Sequence, residues 1–340
     1  MNFLKSCGLI AACAFVPASA AWAQDVTLRY SNWLPSGYYL VEEVMKPWIA
    51  DVEEVTEGRV TVEMLPKVVG TVTGQYDVLA DGLADLSLWV PGYSSGRFVL
   101  MEGFELPFLG NDPIARSEAN WNTYQDYVAN TDELADIHVI SVFSSNSAHI
   151  VTREKRMTAP DMFRGERIRT SSSSASEMMN LLGAAPVPKP MSELYELASG
   201  GVVDGATMPV DTIPPFKLNE VFKAVNLIEG GLTNNVLVVG MNRAKWDQIS
   251  PEDQAAITEV SGITLARLNG EVLQRTLDSA TEQLEAEGIT FNEATPEEFA
   301  AMKETLRPIW DNWIALAKEN GLEDPEAFLD SITATTGAGY

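Results

Sequence analysis

The sequence is poor in the residues that carry most metal and covalent chemistry. Its 340 residues hold two cysteines, Cys7 and Cys13, and two histidines, His138 and His149. Both cysteines fall inside residues 1–23, which read as a secretory signal: Lys5 is the positive n-region, Gly8 to Val16 the apolar core and Ala21-Trp22-Ala23 a small-x-small cleavage site. Ile10-Ala11-Ala12-Cys13 resembles a lipoprotein box, but the apolar run continues past Cys13. Cleavage after Ala23 leaves a chain beginning at Gln24 without cysteine. Disulfides, thiolate metal sites and cysteine nucleophiles are thereby excluded, and two histidines alone cannot build the usual zinc sites. Positive charge is also scarce: 23 Lys and Arg stand against 48 Asp and Glu, a net −25. Nucleic-acid binding and a cationic membrane face both need the opposite balance. Beyond the signal no run of about 20 apolar residues exists to span a bilayer. Neither G-x-x-x-x-G-K-S/T nor G-x-G-x-x-G occurs, so no nucleotide cofactor is signalled. The expectation is a soluble, exported, periplasmic protein with no cofactor and no metal.

What is present is a core. Apolar residues make up 46% of the chain and aromatics 9%, which disfavours global disorder, and the length suggests two domains. Val26 to Ser31 alternates as a strand, Tyr39 to Thr56 reads as a helix ended by Gly58, and Arg59 to Leu65 alternates again. Gly74 to Gly82 looks helical and Ala84 to Val90 strand-like, so the first lobe reads as α/β with a largely parallel sheet. Ile137 to Phe143, Ala148 to Thr152, Arg167 to Arg169 and Val202 to Met208 are further strands, with short helices at Ala175 to Leu182 and Met191 to Gly200. Val236 to Met241 is a strong strand. Ser250-Pro251-Glu252-Asp253 opens a helix with an N-cap, a first-position proline and first-turn acids. Helical composition then persists to Glu287. This is either one helix bracing both lobes or two helices broken near Gly262 or Gly270. Thr295-Pro296 starts a last helix to about Glu319.

Three constellations bear on chemistry. Gly92-Tyr93-Ser94-Ser95-Gly96 matches the nucleophile-elbow pattern of serine hydrolases, but Pro91 intervenes and no helical period follows Gly96, so a Gly/Ser turn is the better reading. Asp77, Asp81 and Asp85 form an acidic stripe at helical spacing, read as a solvated face. Between Arg153 and Arg169 six basic residues oppose three acids, the one cationic island in an acidic chain. Arg169 ends a short strand and precedes a serine run. A planar guanidinium there can clamp a carboxylate or sulfonate bidentately, and open α/β sheets place ligands at strand C-termini.

These residues resemble the solute-binding proteins of TRAP transporters, the C4-dicarboxylate-binding (DctP-type) family. The resemblance runs through Trp33-Leu34-Pro35, Asp81-Gly82-Leu83-Ala84-Asp85-Leu86, Leu106-Pro107-Phe108-Leu109, Gly165-Glu166-Arg167-Ile168-Arg169, Val203-Asp204-Gly205 and Trp246 to Gln254. It implies a two-lobe periplasmic binding fold with a hinge and a long helix spanning both lobes. Lobe 1 comprises residues 24–147 plus 236–262, and lobe 2 residues 148–235 plus 263–340. It further implies a binder, not an enzyme, that closes on a small organic acid anion and delivers it to TRAP membrane permease subunits. A sensing protein for a receptor, or a serine hydrolase using Ser94, are the alternatives. In the family the Arg ending the G-x-K/R-I-R motif binds the ligand carboxylate, a place held by Arg169. Met208 stands where an Asn is frequent, and His149 near where relatives carry a cation. Both departures suggest a monocarboxylate with an apolar or aromatic body, met by Trp33, Tyr38, Trp89, Tyr93 and Phe98 from lobe 1.

Overall fold

The computed structural model describes residues 25–35 and 37–338; the signal segment with Lys5, Cys7 and Cys13 lies outside them. The described strands are β1 Val26–Ser31, β2 Val60–Met64, β3 Leu86–Trp89, β4 Ile137–Ser144, β5 Ala148–Thr152, β6 Arg167–Thr170, β7 Ala185–Pro188, β8 Gly205–Pro209, β9 Ala224–Leu227, β10 Val236–Asn242 and β11 Thr290–Glu293. They form two sheets, ordered β2-β1-β3-β10-β4 and β11-β9-β5-β8-β6-β7. One sheet centres each lobe of a two-lobe α/β fold.

The sheets are mixed rather than largely parallel. β1 pairs parallel with β2 and β3, but β10 runs antiparallel to both β3 and β4. The reason lies in connectivity: β10 enters lobe 1 from lobe 2, so it is not the product of a right-handed β-α-β crossover. The two segments that cross between lobes are tied to one another. Ser145 N donates to the Asn235 carbonyl (2.9 Å), Ala148 N donates to Thr233 O (2.6 Å), and Ala148 and Thr233 form a bridge. The hinge is thus a short two-stranded ribbon.

The helical stretch predicted after Ser250 is two helices, Pro251–Glu259 and Gly262–Ala286. Gly262 decides the break. Its φ is +53°, and a Cβ there would lie 2.6 Å from the Trp121 ring, so only glycine fits the left-handed turn. Gly270 stays within the helix, which lets the backbone of Ile114 approach. The long helix serves both lobes. Leu265, Ala266, Val272 and Leu273 join the apolar cluster of the first sheet, while Leu284 joins that of the second. The helix Pro296–Glu319 opens with a full capping box between Thr295 and Glu298. The helices Pro113–Thr123 and Pro325–Thr336 complete the cover of lobe 1; each opens on an Asp N-cap and a first-position proline, Asp112-Pro113 and Asp324-Pro325, a readable start not among the helices expected from the sequence. No helix among the described residues is long and apolar enough to cross a membrane.

Candidate functional site: an interlobe cleft around Arg169

Of the six members of the cationic island, three are neutralised at the surface. Arg156 pairs with Glu298 (2.6 Å), Arg167 with Asp204 (2.7 Å) and Lys155 with Glu166. Arg169 is different. Its side chain is fully buried, Nε donates to the Lys189 carbonyl (2.7 Å) and Nη1 to the Thr207 carbonyl (3.3 Å). Nη2 has no hydrogen-bond partner. No carboxylate bonds to it. Burial pushes its pKa down, opposed by the nearby Tyr93 hydroxyl and by Glu193 through space. Arg169 holds this place because β6 is sandwiched between parallel β7 and β8, pairing with Val187 and Ala206. The chain then turns at Ser172, whose hydroxyl caps the helix Ser173–Leu181 by accepting from Ala175 N (3.2 Å).

Lobe 1 faces this end with aromatics. Tyr93 sits on the turn Pro91–Tyr93 after β3, and its hydroxyl accepts the Met191 N–H across the lobes (3.3 Å). Trp33 meets Tyr93 edge-on (6.1 Å between centroids), and its indole N–H is fixed on the Leu88 carbonyl (2.8 Å). Tyr38 packs against Tyr39 (4.6 Å) and edge-on to Phe216 from lobe 2 (5.6 Å). Burial holds both tyrosines well above their usual pKa, so they remain neutral. These side chains, with Val90, Met191, Pro209, Asn235 and Leu237, line an interlobe cavity of about 40 Å³ that contains no Lys, Arg or His.

The structure therefore brings Trp33, Tyr38 and Tyr93 together in one cavity, with Arg169 next to Tyr93 but outside the lining, and leaves the other four candidates elsewhere. Trp89 and Phe98 pack on each other (4.9 Å) and on Tyr76 in the lobe 1 core, because the alternation of β3 turns Trp89 away from the cleft. Met208 is fully buried in the lobe 2 core with Val151, Leu194 and Leu284. His149 lines a separate cavity of about 610 Å³ with Asn111, Ser147, Leu277 and Phe291. Its Nδ1 accepts the Ile228 N–H (3.2 Å), and burial lowers its pKa to about 4, so it is neutral near pH 7. Met191, Phe216 and Asn235 were not anticipated. Asn234-Asn235 just before a strong strand was the readable sign of a crossover; Met191 and Phe216 reach the cleft through tertiary packing alone.

The rival chemistries find no support in geometry. Ser94 Oγ donates to the Thr73 carbonyl (3.2 Å), and the segment after Gly96 forms only a 3₁₀ turn at Met101–Glu105. His138 is stacked on Trp246 (3.8 Å). Asp77 and Asp85 pair with Arg97 (2.7 Å) and Arg29 (2.9 Å), and no cluster among the described residues could hold a metal ion.

Comparison with known proteins places this geometry. The model of bacterial extracellular solute-binding protein, family 7, matches residues 30–316. A TRAP periplasmic solute-binding protein from Bordetella bronchiseptica, solved with bound (R)- and (S)-mandelate, is 31% identical, covers 92% of this chain and 99% of its own, and superposes with a TM-score of 0.88. A marine metagenome TRAP solute-binding protein specific for aromatic acid ligands, solved with 3-hydroxybenzoate, is 29% identical over 93% of this chain and 99% of its own (TM-score 0.86). The outer membrane transporter protein TsaT of Comamonas testosteroni is 28% identical over 99% of both chains. A two-lobe chain matched along most of its length to binders rather than enzymes has its place: it belongs to family 7 of the bacterial extracellular solute-binding proteins, the TRAP transporter binders of organic acids.

Proposed function

We propose that the protein captures a monoanionic organic acid with an aromatic or other apolar body and delivers it to TRAP membrane permease subunits. One observation carries the reading: Arg169 is a buried guanidinium beside Tyr93 with Nη2 outside any hydrogen bond among the described residues, and the cavity that Tyr93 lines is aromatic, apolar or neutral. A dicarboxylate would bring a second charge into a site with no second cation, and an unpaired buried charge is costly. Asp211, buried behind Tyr38 with its pKa pushed up to about 6, adds further negative potential. The aromatic acids bound by the two solved relatives agree with this class.

Binding requires motion. A cavity of about 40 Å³ has room for about one water, so the lobes part about the Ser145–Asn235 ribbon to admit the ligand. The anion meets Arg169 on lobe 2, and Tyr93 and Trp33 close over it. Excluding water lowers the effective dielectric and strengthens the ion pair. The ligand thus stabilises the closed state by its differential affinity for it. We assign lobe 1 to residues 24–147 and 236–262 and lobe 2 to 148–235 and 263–324, with the long helix packed on both and the helix Pro325–Thr336 returning to lobe 1. Export by cleavage after Ala23 belongs to the same reading and predicts Gln24 at the mature N-terminus.

Calorimetry of the mature protein with benzoate and succinate tests the ligand class. Benzoate is expected to bind at least tenfold more tightly; a preference for succinate would overturn the reading. Uptake of labelled benzoate by vesicles carrying the permease, dependent on added protein, tests delivery.

A further inference from the structure

We propose that Asn235 reads a hydroxyl on the body of the ligand, which makes hydroxylated aromatic monoacids the substrate class of this cleft; the inference rests on the cleft being the anion site. Asn235 occupies the lobe crossover, and its backbone is held on both sides. Its N–H donates to Ser145 Oγ (2.9 Å) and its carbonyl accepts from Ser145 N (2.9 Å). The side chain is thereby placed rather than free to wander. It faces the cleft, its Oδ1 is buried, and that oxygen has no hydrogen-bond partner.

Three other polar side chains of the lining are already engaged. Trp33 donates to Leu88 O (2.8 Å), Ser145 Oγ to Asn146 O (2.9 Å) and Thr212 Oγ1 to Pro209 O (2.6 Å). Asn235 Oδ1 is therefore a buried acceptor in the lining that has no hydrogen-bond partner among the described residues. A side-chain amide at a strand entrance commonly closes a local turn, but this one bonds to no backbone group. A buried unsatisfied amide destabilises the closed state unless the ligand supplies its partner. The partner must match an N–H donor beside a carbonyl acceptor. A hydroxyl, which donates and accepts, does so. A second carboxylate does not, because it would leave Oδ1 facing negative charge. Between the two polar points the walls are Leu34, Val90, Met191, Pro209, Phe216 and Leu237, which offer only apolar contact to a ring.

The test is a calorimetric ranking of benzoate against 2-, 3- and 4-hydroxybenzoate, on the wild type and on Asn235→Leu. In the wild type one hydroxy isomer is expected to bind about tenfold more tightly than benzoate. In Asn235→Leu that preference is expected to collapse to within about twofold. The wild-type ranking needs no variant, and Asn235→Ala serves if the leucine variant does not fold. Benzoate equal to or tighter than all three isomers, or a preference that survives both substitutions, overturns the inference while leaving the anion site intact. Failure of all four acids to bind the wild type overturns the anion site and this inference with it.

Discussion

Replacing Arg169 by Met separates two roles that the structure assigns to one side chain. The guanidinium holds two backbone carbonyls, Lys189 O (2.7 Å) and Thr207 O (3.3 Å), and keeps a buried Nη2 outside any hydrogen bond among the described residues, with the Tyr93 hydroxyl nearby. For binding, losing the partner of a desolvated carboxylate costs about 2–5 kcal/mol, or about 30-fold to several thousand-fold in Kd. For stability, two terms oppose. Two buried carbonyls lose donors, at about 1 kcal/mol each. Against this, a charge whose pKa burial already depresses is removed from the interior. The melting temperature without ligand is expected to stay within about 3 °C of wild type. The shift produced by benzoate at 100 times the wild-type Kd, about 2.7 kcal/mol by mass action, is expected to fall below about 0.9 kcal/mol. Calorimetry and thermal melts with and without benzoate read both. A Kd within threefold of wild type would refute the site. A collapse in ligand-free stability of the kind a pure core residue gives would refute the account of Arg169 as a charge awaiting an anion.

Four more substitutions probe the surroundings. Glu105 is fully buried at the lobe seam, its Oε1 accepting from Val236 N (3.1 Å), and burial pushes its pKa up to about 8. The unfolded chain ionises first as pH rises above about 4.5, so stability falls between about pH 4.5 and 8; Glu105→Gln should remove on the order of 3 kcal/mol of that loss at pH 7. Urea titrations at pH 5 and 7 check this, and parallel profiles would count against it. His149 runs the other way: its folded pKa is about 4, so its contribution is present above about pH 6.5 and lost as pH drops toward 4, and His149→Gln should flatten the acid limb of the same titration. A Cβ at Gly92 would lie 2.7 Å from Ser172 Cβ across the lobes and 2.8 Å from the Glu105 carboxylate. Gly92→Ala should therefore weaken benzoate binding by obstructing closure, visible as a more open form in solution scattering with ligand. Phe98→Ala, in the aromatic trio with Trp89 and Tyr76, should destabilise lobe 1 by about 3–5 kcal/mol and leave Kd for benzoate unchanged.

What the sequence determined by itself was local or compositional. Alternation at Val26 to Ser31 and Val236 to Met241 and the Ser250-Pro251 and Thr295-Pro296 helix starts follow from neighbours a few residues away, whereas the choice of Gly262 over Gly270 or an unbroken helix rests on the distant Trp121 ring. Arg169 at a strand end before a capping serine was legible for the same reason, and so was the exclusion of thiolate and elbow chemistry. What only the tertiary structure decided was facing. Trp89 and Leu88 are adjacent in sequence, yet one enters the core trio and the other lends its carbonyl to Trp33; the burial of β3 on both faces erases the polar alternation that would tell them apart. Met208 and His149, placed in the cleft by family position, sit in the lobe 2 core and in another cavity. Phe216, Met191 and Asn235 reach the cleft from segments 98 residues or more beyond Trp33 and Tyr93. Their convergence depends on β10 returning antiparallel into lobe 1 and on lobe closure. Those are pairings between distant segments, and no local pattern of side chains records them.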